Sequence, residues 1–210
     1  MSDPPPTLRR DAERNRQLLL RTAYALMATN GLEVSYEEIA RAAGTGMGTV
    51  YRRFPDRQDL LDALFSEHID RVIGFAEQAA RHEDALAGLT WFLEQQLEVE
   101  AQSRGLGELL RSRNQSTALV RRARERMTPL VAELVDRAVR AGQLPAGATP
   151  ADFAAVHLMV GSVMDASRTF APQLWRRALR IALAGLRVAD LSDDAPEESV
   201  IDRLYHHTPR

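Results

Sequence analysis

The chain has 210 residues and a formal net charge of −2, from 27 cationic and 29 anionic side chains. Hydrophobic residues make up 45%, enough for one large or two small domains with a buried core. The absence of cysteine excludes disulfides and thiolate metal sites. No apolar run reaches membrane-spanning length and residues 1–10 hold no apolar signal core, so a cytoplasmic chain with no membrane partner is expected.

All 27 cations are arginine, a planar and permanently charged group whose five donors suit phosphate. Residues 1–57 carry nine arginines against seven acids, a net +2, which leaves −4 for the remainder. A charge of +2 is a weak nucleic-acid signal by itself; its arrangement matters more than its size.

Residues 1–10, with Pro4, Pro5 and Pro6, read as a disordered lead. From Asp11, Leu18, Leu19, Ala23, Leu26 and Met27 recur at helical intervals, and Asn30 with Gly31 stops that helix, Gly31 standing where a left-handed cap is needed. Ser35 and Glu38 form a capping box for a short helix with Ile39, Ala40 and Ala43 on its apolar stripe, ended by Gly44. Thr45 is expected to cap a third helix over 46–53, which Phe54 and Pro55 terminate. Asp56 caps a longer helix carrying Leu60, Leu61, Leu64, Phe65 and Ile69. Residues 35–54 therefore read as short helix, glycine turn, short helix: the helix-turn-helix unit. Farther on the pattern is helical throughout, with segments predicted at 84–101, 104–113, 116–142, 150–167 and 172–189. Pro129 is expected to kink or divide the 116–142 segment.

A helix that enters the major groove needs small residues at its front, donors on its polar face and apolar anchors behind. Gly46, Gly48 and Thr49 meet the first need, Thr49, Tyr51, Arg52 and Arg53 the second, and Val50 and Phe54 the third. Two glycines cost a helix roughly 1 kcal/mol each against alanine, so their presence points to close approach rather than helix strength. The bland alternative is a solvated helical connector.

The ordered run Leu18, Ala23, Leu26, Gly31, Ser35, Ile39, Ala40, Ala43, Gly44, Gly48-Thr49-Val50-Tyr51, Phe54, Arg57, Leu60 and Leu61 resembles the TetR family of transcriptional regulators over the first third of the chain. The resemblance implies an all-α homodimer that binds double-stranded operator DNA. It implies a helix-turn-helix domain over 11–56, a connecting helix over 57–80, a ligand-binding and dimerisation domain over 81–191 and a tail over 192–210. Ser35 and Tyr36 resemble positions that touch phosphate at the start of the supporting helix. Thr45, Gly46, Met47 and Thr49 match the front of the recognition helix, Tyr51 an aromatic whose hydroxyl reaches phosphate, and Arg57 the cation opening the next helix. Arg53 departs from the family's frequent histidine. Arg52 is read as a bidentate guanine contact, with phosphate as its alternative.

In the second domain, Trp91, Phe92, Leu109, Met127, Val131 and Met164 read either as core or as the wall of an apolar effector site. His157, on an apolar helix, reads as a satisfied core histidine or a ligand contact. The dimer contact is assigned to Phe153, Val156, Val160 and Gly161 on one helix and Trp175, Leu179, Ala182 and Leu186 on the next, packed about a twofold axis. The cluster of Arg121, Arg122, Arg124 and Arg126 reads as a solvated face. The five histidines show no metal-ligand spacing, and no nucleophile elbow, phosphate loop or dinucleotide fingerprint occurs, so no metal, cofactor or catalysis is expected. The expected function is repression relieved by a small apolar ligand. The rivals are an activator or ligand-independent regulator, and a helical binding protein or enzyme with a vestigial DNA motif.

Overall fold

Pro6 opens the first helix, at a position where the missing proline N–H would have had no intrahelical partner. In the computed structural model, which describes residues 6–111 and 117–192, α1 runs Pro6–Asn30. The expected lead over 1–10 is thereby shortened: residues 6–10 are helical, and 1–5 lie outside the described residues. Gly31 ends α1 at φ 84°, its N–H bonded to the Met27 carbonyl at 3.0 Å.

The capping box forms as the sequence predicts. Ser35 Oγ accepts the Glu38 N–H at 3.2 Å, the Glu38 carboxylate accepts the Ser35 N–H at 2.7 Å, and α2 spans Tyr36–Ala42. Gly44, at φ 65°, turns the chain into α3, Met47–Arg53. Thr45 does not cap α3. Its N–H is drawn back to the Ala40 carbonyl at 2.9 Å, inside the turn that closes α2, and Gly46 takes the cap position without a side-chain bond. Asp56 accepts the Gln58 N–H at 2.9 Å and opens α4, Arg57–Ala79.

The remaining described helices are α5 (Ala85–Gln102), α6 (Arg104–Arg111), α7 (Ala118–Arg140), α8 (Pro150–Ser167) and α9 (Leu174–Leu186), and no strand occurs among the described residues. Their ends lie within three residues of the predicted ones, the ordinary slack of frayed termini. α7 passes through Pro129 as one helix. Only residue 192 of the expected tail falls among the described residues. No helix among them is long and apolar enough to cross a membrane.

Two apolar cores share α4. The first joins Leu19, Met27, Ile39, Val50, Phe54 and Phe65 of the N-terminal helices to Leu106, Leu109, Leu110, Val120 and Ala123 of α6 and α7. The second holds Val72 and Ala76 of α4 with Leu89, Phe92, Leu134, Phe153, Val160 and Trp175.

The residues of α8 and α9 assigned to a dimer contact face inward in their own chain. Phe153, Val156, Val160, Trp175, Leu179 and Leu186 lie in the second core of their own chain, Gly161 is buried, and Ala182 is half-buried against that core. Both helices carry apolar residues on two sides, and the larger stripe packs inward. Their outward apolar residues are Met159, Leu174 and Ile181, with Phe170 and Val188 in the adjoining turns.

Candidate functional site

The helix-turn-helix surface is built on two anchors. Val50 and Phe54 are buried and fix α3 to the domain, and this turns the opposite side outward. Met47 and Tyr51 are half exposed, at 50% and 52%, and Ser35, Gly46, Gly48, Arg52 and Arg53 are exposed with them. Thr45 and Thr49 are half-buried. A Cβ added at Gly46 or Gly48 would meet nothing within 4 Å. Internal packing therefore does not require these glycines, as expected if an external surface must come close.

Tyr36 and Arg57 stand behind this surface. The Tyr36 side chain is buried, and its hydroxyl donates to the Phe54 carbonyl at 2.9 Å, which spends the donor expected to reach phosphate. Burial pushes its phenol pKa up, with Arg57 pulling the other way. Its ring meets Tyr51 edge-on at 4.8 Å, so it props the exposed aromatic. The Arg57 guanidinium donates to the Leu32 carbonyl and lies 5.7 Å over the Tyr36 ring, tying the start of α4 to the loop before α2.

In the bundle, α5, α7 and α8 part around a mainly apolar cavity of about 110 Å³ that is open at one side. Phe92, Met127, Val131 and His157 line it. Trp91, Leu109 and Met164 do not line it. Trp91 packs edge-on to Phe75 and stacks on His82, Leu109 is in the first core, and Met164 is in the second. Phe153, assigned to the dimer, is a wall of the cavity, as are Leu93, Gln96 and Leu110. Arg124, read as part of a solvated face, also lines it and donates to the Leu110 carbonyl at 2.7 Å.

Behind the polar wall lies a buried ionic network. His157 Nε2 is 2.7 Å from Glu100 Oε1, Gln96 donates to the same oxygen at 3.1 Å, and Arg111 pairs with the other Glu100 oxygen and with Asp165 at 2.7 Å. Burial alone would raise the carboxyl pKa of Glu100, but His157, Arg111 and Gln96 together hold it below the ordinary value. Sequence reading missed this network. Its signal was present in α5, where Gln96 and Glu100 interrupt the buried stripe Leu89, Leu93, Leu97 at helical spacing. Among the described residues no group of three His, Cys, Asp or Glu could hold a metal ion.

A helix-turn-helix unit with an open, donor-bearing α3, set on a helical bundle with an internal cavity, defines a DNA-binding regulator. Residues 19–64 match the family model of bacterial regulatory proteins of the tetR family, and residues 83–188 match that of the transcriptional regulator SbtR-like C-terminal domain. The chain belongs to the TetR family of transcriptional regulators. A TetR transcription regulatory protein from Mycobacterium vanbaalenii is 31% identical, over 86% of this chain and 99% of that one, with a TM-score of 0.48. An HTH-type transcriptional regulator of Staphylococcus aureus is 38% identical over 72 residues, which span 34% of this chain and only 39% of that protein. The transcriptional regulator FadR from Bacillus subtilis, solved in complex with stearoyl-CoA, is similar in fold with a TM-score of 0.57 at 18% identity, over 81% of this chain and 98% of that one.

Proposed function

We propose that the protein is a homodimeric repressor that holds operator DNA through α2 and α3 and releases it when a small apolar molecule fills the bundle cavity. The cavity carries this reading: its walls are largely Leu89, Phe92, Met127, Val131 and Phe153, with Gln96 and His157 as oriented polar groups, the usual anatomy of a small-molecule site. α6 joins the two functions, because Leu110 lines the cavity while Glu108 bonds the Leu32 N–H at 2.7 Å. A ligand that prefers one arrangement of α6 lowers DNA affinity by its differential affinity for the two states. FadR, a protein of similar fold, was solved with stearoyl-CoA, a ligand that carries a long apolar chain.

On DNA, Met47 packs against a thymine methyl and Arg52 reads guanine, while Ser35, Thr45, Thr49 and Tyr51 position the domain on the backbone. Two protomers meet through the outward apolar residues of α8 and α9, which sets the separation of the two α3 helices.

The test captures genomic fragments with the pure protein, then measures retention against competitor DNA and screens apolar compounds for thermal stabilisation. A repressor of this kind retains specific fragments, and some compound both raises the melting temperature and releases them. Retention without any such compound leaves a ligand-independent regulator. Absence of specific retention at moderate salt refutes the DNA reading.

A further inference from the structure

Among the described side chains, the first half of α1 contributes none to either apolar core. Among the described side chains of the helix the first that is fully buried is Leu19, at 1% exposure, and thirteen helical residues, 6–18, precede it. They make an overhang of about 20 Å at 1.5 Å per residue. From Arg10 to Leu18 its described side chains are exposed except Arg16, which is half-buried.

The overhang is basic. Residues 6–18 hold Arg9, Arg10, Arg14 and Arg16 against Asp11 and Glu13. Glu13 is engaged locally, 3.9 Å from Arg16 and bonded by Gln17 at 2.9 Å. Arg10 and Arg14, four residues apart, lie on one face about 6 Å apart along the axis. Neither forms an ion pair among the described residues. The match to the family's DNA-binding model begins at residue 19, so the overhang lies outside what that domain model covers.

The opposite end of α1 is fixed to the bundle. Leu32 is bonded to Glu108, and Gly105 comes so close to the Met27 carbonyl that an added Cβ would lie 2.9 Å from it. The overhang therefore points away from the bundle, at the end of the molecule that carries the helix-turn-helix unit. Its exposed arginines suit a polyanion, and the DNA held by the same domain is one within tethered reach.

We propose that Arg10 and Arg14 bind the phosphate backbone of the duplex flanking each half-site, and so lengthen the footprint beyond the bases read by α3. This rests on the DNA reading given above. The overhang adds affinity without sequence preference, because phosphates carry no base identity.

The test compares the full-length Arg10→Gln/Arg14→Gln variant with the wild type on two duplexes. One ends at the half-sites, and the other extends one helical turn (about 10 base pairs) on each side. Wild type should bind the extended duplex more tightly, and the variant should lose that difference. On the extended duplex the variant's log–log salt slope should be shallower by about two per protomer, at about 0.9 per phosphate contact. On the short duplex the two proteins should match. Equal slopes on the extended duplex overturn the proposal, as does an equal loss on both duplexes. If wild type prefers no duplex over competitor, the DNA reading fails first and takes this proposal with it. Melting temperature should not change, since neither arginine takes part in packing.

Discussion

Glu108 accepts the backbone N–H of Leu32 at 2.7 Å, so a carboxylate of the bundle closes the loop that leads into α2. Arg104 steadies that carboxylate at 2.7 Å, and the Leu32 carbonyl takes the Arg57 guanidinium. Both peptide groups of one buried residue are thus held by side chains from distant helices.

Glu108→Ala strands the Leu32 N–H, and a buried donor left without an acceptor costs about 1–3 kcal/mol. Urea unfolding should show the midpoint falling accordingly. Gly31→Ala should also destabilise, because φ is +84° and the new Cβ would lie 2.5 Å from the Glu108 carboxylate oxygens. The two effects should not add. Without Glu108 the clash is gone, and Gly31→Ala should then cost only its backbone strain, about 1–2 kcal/mol.

Arg52→Ala should relax preference at one base position, costing about 1–3 kcal/mol against the cognate site and little against other sequences. Met47→Ala should weaken discrimination at a thymine while leaving stability within about 0.5 kcal/mol, since Met47 is half exposed. Tyr36→Phe should behave differently. It leaves the buried Phe54 carbonyl without its donor and lowers stability by about 1 kcal/mol, with no change of base preference. Binding to a panel of single-base operator variants, alongside unfolding curves, separates the three. A base-specific effect of Tyr36→Phe would contradict the assignment.

Acid should loosen the bundle through Glu100. Burial opposes its ionisation, but His157, Arg111 and Gln96 outweigh burial and hold its folded pKa below the ordinary 4.5. A depressed carboxyl pKa contributes stability that is fully present above pH 4.5 and is lost as pH falls through the folded value. Glu100→Gln should therefore cost about 1–3 kcal/mol at neutral pH, because Arg111 keeps only Asp165 as its anionic partner. The variant should also show a flatter loss of stability below pH 4.5. Urea midpoints measured from pH 7 to pH 3 check both; an unchanged acid limb would sink the assignment to Glu100.

Ile181, 62% exposed on α9, should matter to assembly and not to the fold of one chain. Ile181→Arg should keep the helical circular dichroism of the wild type and sediment as a monomer at micromolar concentration. Leu179→Ala, two residues away in the second core, should instead cost about 2–5 kcal/mol of stability. A dimer that survives Ile181→Arg would place the twofold contact elsewhere.

Local chemistry was legible where one residue decides it. Ser35 with Glu38, Asp56 as a cap, and the positive φ of Gly31 follow from rules that span four residues or fewer. The start of α1 was misplaced because three prolines read as a breaker, although the last of them sits where a helix tolerates proline. Periodicity found α8 and α9 but not their inner faces, since Val160 and Met159 are neighbours of equal apolarity and only the tertiary packing buries one and exposes the other. The cavity was half legible: Phe92, Met127 and Val131 announce themselves, whereas Glu100, Arg111 and Asp165 meet across three helices.

The first core takes Leu106, Leu109 and Leu110 from α6 and Val120 and Ala123 from α7. The DNA-reading end is consequently not a detachable cassette. A chimera joined after α4 would graft a domain whose interior is missing one wall, and it would expose Leu19, Met27 and Phe65 to water. A working exchange of effector domains has to cut within α7, beyond Ala123, so that α6 travels with the reader while the far wall of the cavity changes hands.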